Sequence, residues 1–145
     1  MTITGTAKID YKTKNLIKRL QPGDIAIINH EDIDEVGANG LTSCKVKAVI
    51  NAAKSITGRY PNPGPGIILD ANIPIIDDVG EQIMSYAEGS RVTITDNGEI
   101  YIDDMLVAKG ELLSSDKVKV QMEAARKNME NSLDTFINNT LEYAK

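Results

Sequence analysis

The sequence predicts an α/β domain with a mixed sheet, a β-hairpin and a long C-terminal helix. Three observations carry this. Helix-type segments alternate with buried-strand runs, the continuously apolar Ile25-Ala26-Ile27-Ile28 and then Val46 to Ile50, of the kind covered on both faces of a sheet. Asn97-Gly98 then separates two runs of alternating polarity, the strongest short-range hairpin signal. Finally, Ser115 to Lys145 contains neither Gly nor Pro and carries one apolar stripe.

In chain order, the first dozen residues read as an extended arm bearing Ala7 and Ile9. Thr13 is placed to cap a short helix with Leu16, Ile17 and Leu20 on its apolar side, and Gln21-Pro22-Gly23-Asp24 ends it. Ile25 to Ile28 is a buried strand, and Asp32 opens a second helix running toward Ser43. Val46 to Ile50 is the next strand. Ser55-Ile56-Thr57-Gly58-Arg59-Tyr60-Pro61-Asn62-Pro63-Gly64-Pro65-Gly66 follows it, with too much Pro and Gly for a regular element. Ile67 to Asp70 completes a short helical turn, and Ile73 to Ile76 is a short strand. Asp77-Asp78 caps a helix over Val79 to Tyr86. Arg91 to Thr95 and Glu99 to Ile102 form the hairpin, Asp103-Asp104 is a turn, and Met105 to Ala108 is one more strand.

On the last segment, Val118, Met122, Ala125, Met129, Leu133, Phe136 and Thr140 repeat with 4-3-4 spacing, close to straight-helix geometry. Such a helix is about 45 Å long at 1.5 Å per residue. A small domain is only about 26 Å across, so part of the helix must project or pack on something else. No Gly, Pro or polar cap closes it at Glu142-Tyr143-Ala144-Lys145. The expected division is therefore a domain over 1–114 and a helix over 115–145 that leads into a missing C-terminal domain.

Composition narrows the function. With no Trp and one Phe in 145 residues, the core must rest on Ile, Val, Leu and Ala. A net charge of −5 without basic clusters disfavours a nucleic-acid partner and attraction to anionic lipid. No stretch is apolar enough for a transmembrane helix or a signal-peptide core, so membrane insertion by this segment is not expected. Cys44 stands alone, which rules out an intrachain disulfide and suits a reducing compartment such as the cytoplasm. It reads as a small buried residue.

The Gly/Pro-rich loop is the first candidate site, because α/β sheets bind ligands beyond the carboxyl ends of their strands. Gly58 lets a ligand approach the backbone, Arg59 can fork onto carboxylate or phosphate, and Ser55 and Thr57 add hydroxyls. Tyr60 and Asn62 complete the candidate binding set. The loop lacks the Gly-Lys-Ser/Thr ending of a Walker motif. A rigid structural loop with Arg59 paired to a neighbouring carboxylate is the bland alternative. His30, the sole histidine, ends a strand beside Glu31 and Asp32; as a catalytic acid or base it lacks an identifiable nucleophile or metal. Asp77 and Asp78 are candidate metal ligands, although helix capping accounts for them more simply. No cofactor is expected in this segment.

Arg19-Leu20-Gln21-Pro22-Gly23-Asp24, Asn51-Ala52-Ala53, the Ser55 to Asn62 run, Asp77-Asp78-Val79-Gly80 and Asn139-Thr140-Leu141-Glu142-Tyr143 resemble the N-terminal part of the SteA-like cytokinetic-ring proteins. The likeness runs over nearly the whole chain, and its Ser-Ile-Thr-Gly-Arg-Tyr-Pro segment is specific. It implies bacterial cell division as the context, with the division site as the location of the full-length protein. It also implies a parent whose C-terminal part resembles thiamin pyrophosphokinase, and which can be labelled as such an enzyme. The Asp-rich nucleotide and metal motifs of that part have no counterpart here. Pro22-Gly23-Asp24-Ile25, Ile73-Pro74, Glu88 to Ile94 and Asn97 to Tyr101 are also similar to the swivelling phosphohistidine domain of phosphoenolpyruvate-using enzymes, a β/β/α module. Where that family carries its histidine, this chain runs Ser55 to Tyr60, so phosphotransfer does not carry over.

Three functions follow as expectations. One is a non-catalytic binding or regulatory module that takes an anionic small molecule or partner segment and signals to its own kinase-like domain. Another is a small enzyme domain using His30 with Asp77 or Asp78. The last is a scaffold that forms a homodimer through 115–145.

Overall fold

The computed structural model describes the backbone of residues 2–143 and the side chains of residues 2–131. In chain order the elements are β1 (Ile3–Asp10), α1 (Thr13–Ile17), β2 (Ile25–Ile28), α2 (Glu35–Ser43), β3 (Ala48–Asn51), α3 (Gly64–Asp70) and β4 (Ile75–Asp77). A 3-10 turn (Glu81–Ser85), β5 (Arg91–Ile94), β6 (Glu99–Ile102), β7 (Met105–Lys109), β8 (Glu111–Leu112) and α4 (Ser115–Tyr143) complete the fold. The strands form one mixed sheet in the order β7-β6-β5-β1-β2-β3-β4-β8. Strands β1 to β4 are parallel neighbours, β5 to β7 are antiparallel, and β8 adds antiparallel to β4. This is the α/β mixed sheet, hairpin and C-terminal helix that the sequence predicts.

Side-chain parity explains the continuous apolar runs. Ala26, Ile28, Val49 and Ile75 face one core together with Leu16, Leu41, Ile68 and Val118 of the helices. Their neighbours Ile25, Ile27, Ala48, Ile50 and Ile76 face a second core with Val92, Ile94, Ile100 and Ile102. The antiparallel strands therefore fold over the parallel sheet, and the layers run meander, sheet, helices. Strands covered on both faces need apolar residues at every position. Strands β5 and β6 are covered on one face only, and they alternate.

Several local expectations are corrected. The N-terminal arm is a full strand at the centre of the sheet, pairing Ala7 with Ile25 on one side and Ile3 with Ile94 on the other. Lys12, not Thr13, occupies the α1 cap position, and its side chain makes no capping bond. Helix α2 starts at Asp34, whose carboxylate accepts from the Gly37 amide, rather than at Asp32. Helix α3 begins at Gly64, inside the Gly/Pro-rich segment, because Pro65 sits in its first turn where a missing N–H costs nothing. Asp77 ends β4 and caps nothing. The segment after it forms a 3-10 turn preceded by Gly80 at φ 103°. Cys44 is half-buried, its Sγ 3.5 Å from the Ile17 carbonyl.

The first turns of α4 carry the expected stripe: Val118 and Ala125 are buried and Met122 is packed on the helix-side core. Met129, next on the stripe, is 40% exposed. Leu133, Phe136 and Thr140 lie outside the residues whose side chains are described. Among the described residues, no helix is long and apolar enough to cross a membrane.

Candidate functional site

The loop from Ala52 to Pro63 leaves the carboxyl end of β3 and lies between the ends of the parallel strands and α4. Asn51, wholly buried, anchors it. Its Oδ1 accepts from the amides of His30 and Ala53, and its Nδ2 donates to the His30 carbonyl and to Ser55 Oγ (2.9 and 2.8 Å). All of the amide group's main bonding positions are filled. Ser55, also fully buried, donates from its hydroxyl and its amide to Asp77 Oδ1 at 2.6 and 3.0 Å. The ends of β2, β3 and β4 are thus tied through one buried polar chain.

A second tie comes from Asp32. At φ 52° it turns its carboxylate back onto the loop, accepting from the Thr57 amide and the Thr57 hydroxyl at 2.8 Å each. Asn62 closes the far end, donating to the Ser55 carbonyl at 2.8 Å. Helix α4 then holds the loop from outside. Asn128 Nδ2 donates to the Gly58 carbonyl at 3.0 Å, and the Asn62 amide donates to Met122 Sδ at 3.1 Å. Gly58 sits at φ 90° with open space where a Cβ would be, so its glycine serves backbone conformation rather than room.

Between the loop and α4 lies a half-open cleft of about 280 Å³, walled by Lys54, Thr57, Gly58, Asp77, Asp78 and Gln121 among others. Thr57 and Gly58 of the sequence-predicted set line it. Ser55 and Asn62 lie beneath it as buried scaffold. Arg59 and Tyr60 are outside, in solvent: Arg59 is 71% exposed and its Nη1 pairs with Glu31 Oε1 at 3.0 Å. The expected convergence of His30 with Asp77 and Asp78 does not occur at the side chains. His30 Nδ1 bonds Thr13 Oγ1 at 3.1 Å and its ring lines a different cleft. Among the described residues no three His, Cys, Asp or Glu side chains come together as a metal shell. Sequence reasoning missed Lys54, which belongs to the loop itself, and Gln121 and Asn128, which only the packing of α4 brings to it.

Burial pushes the Asp77 carboxyl above its ordinary value, against the opposing pull of the Ser55 hydroxyl and amide. The fold therefore favours the protonated form. That contribution is complete below the ordinary carboxylate pKa and is lost as pH rises through the raised folded value. Asp77→Asn keeps an oxygen for Ser55 while removing the charge. We expect the variant to be more stable than wild type near pH 7, and the difference to shrink as pH falls toward the ordinary carboxylate range. Urea midpoints across this range measure this; a variant less stable at neutral pH would contradict it.

No family model matches the chain, and no curated protein matches it. Among solved structures it is similar to 3-isopropylmalate dehydratase (LeuD) of Methanocaldococcus jannaschii, with 15% identity and a TM-score of 0.52 over 97% of this chain and 99% of that one. At that identity the likeness is one of fold. Fold and site together define an α/β domain with a hydrogen-bonded, strand-end loop clasped by its last helix.

Proposed function

We propose that the chain is a non-catalytic binding and regulatory module of a SteA-like bacterial cell-division protein, acting in the cytoplasm on its own kinase-like domain. The observation that carries the reading is the double attachment of the loop to α4, at Gly58–Asn128 and Asn62–Met122. A ligand that moves Thr57 or Gly58 must strain or release these bonds, so occupancy of the loop reaches the helix directly. The ligand is an anionic small molecule or an acidic partner segment, held by Arg59 at the loop's outer edge. Arg59 pairs with Glu31 in the open. An exposed pair of this kind is worth about 0–1 kcal/mol, so an anion displaces Glu31 at little cost.

Inorganic phosphate and pyrophosphate are suitable probes. Ligand at a hundredfold excess over Kd should stabilise the protein by about 2.7 kcal/mol, read as a rise in Tm. Arg59→Ala should lose that rise while keeping the unliganded Tm, because the side chain is solvated. Equal ligand-induced shifts in wild type and variant would remove Arg59 from the site, and no shift in either would remove the anion.

A further inference from the structure

A second cleft lies on the other side of the strand ends, between α1 and α2, and the loop-binding reading makes no use of it. It encloses about 550 Å³ and is largely apolar. That volume and lining fall within the range of small-molecule sites, which combine an apolar body with a few polar groups. Two glycines of α2 line it. A Cβ on Gly40 would stand 2.2 Å from Ile17 Cδ1, and one on Gly37 would stand 3.2 Å from His30 Cε1. Gly costs about 1 kcal/mol in a helix relative to Ala. At 40 a side chain would press on the Ile17 side chain of α1; at 37 it would crowd the Asp34 carboxylate and the imidazole.

The polar groups at this cleft are unequal in sign. Lys14 and Lys18 stand four residues apart along α1 and its C-cap, hence on one face. Neither has an ion-pair partner among the described residues. The carboxylate on the rim, Asp34, is engaged in capping α2 through the Gly37 amide at 2.7 Å. His30 gives its Nδ1 to Thr13, leaving Nε2 without a protein partner among the described residues. Val36, at the same cleft, is an apolar side chain left 80% exposed. An acidic chain of net charge −5 thus presents two unpaired ammonium groups over an apolar hollow.

We propose that this cleft binds a small amphipathic carboxylate, with an aliphatic or aromatic body against Ile17, Val36, Gly37 and Gly40 and its carboxylate on Lys14 and Lys18. The site is separate from the loop and stands or falls independently of it. It also gives the sole histidine a place as a wall of the pocket beside the anion.

Octanoate is the probe, octanol its uncharged counterpart, and amide NMR shifts of the 145-residue chain the readout. Octanoate should move the amides of Ile17, Val36, Gly37 and Gly40 saturably and bind roughly tenfold tighter than octanol. The double variant Lys14→Gln/Lys18→Gln changes exposed residues and should keep the wild-type spectrum elsewhere. In it, octanoate should weaken to the affinity of octanol while octanol itself is unchanged. Equal affinity of the two probes for wild type, shifts confined to residues 52–63, or no saturable shifts each overturn the proposal.

Discussion

Gly64→Ala should destabilise the protein by about 3 kcal/mol or more, at or above the top of the range for overpacking. An ideal Cβ at this position stands 2.0 Å from the Ile33 carbonyl oxygen and 2.6 Å from its carbon. Both are backbone atoms, so no rotamer change relieves the clash. Either α3 or the Ile33 backbone must move, and Ile33 is fully buried between the helices. Its amide also donates to the Ser55 carbonyl at 3.2 Å, so the shift would spread into the loop. Chemical denaturation measures the loss. A variant within 1 kcal/mol of wild type, on the order of the helix-propensity gain alone, would mean that the close approach is not maintained in solution.

Asn51→Ala should produce the second large effect, about 3 kcal/mol. The change strips partners from the His30 amide and carbonyl, the Ala53 amide and Ser55 Oγ at once. Each buried group left unpaired costs about 1–3 kcal/mol, and water entering the gap offsets part of the sum. The same variant separates scaffold from site. Because Ser55 would lose one of its tethers, the 52–63 amides should exchange with solvent much faster, while amides of β5 and β6 should follow the global stability. Uniform acceleration across the sheet would indicate that the buried chain stabilises the whole fold without specifically ordering the loop.

The legible parts of this fold are those decided within one or two turns of chain. The runs Ile25 to Ile28 and Val46 to Ile50 announce strands because both faces are covered, and Gly98 at φ 80° marks the hairpin. Asp103 and Asp104, at φ 49° and 69°, form the expected tight turn. Strand β8 has two residues and so no periodicity to read. Asp32 was indistinguishable from a helix cap in sequence, since a carboxylate before an amphipathic run is the usual signal. Its partner is Thr57, twenty-five residues onward. Ser55 likewise reads as a ligand hydroxyl until Asp77 is placed beside it. The composition of the loop identifies a site-like segment. Which side chains face inward depends on β2, β4 and α4, all remote in sequence.

Strand β1 has a consequence for how the protein is made. It joins the parallel half of the sheet to the meander, pairing with β2 along Ala7 to Asp10 and with β5 along Ile3 to Thr6. Ile3 meets Ile94, so this strand finds its second neighbour only after most of the domain has been synthesised. Until then its outer edge is unsatisfied, and the chain carries a ready template for pairing with another copy. Such long-range closure slows folding. Closure of the sheet around β1 therefore waits on β5, far along the chain.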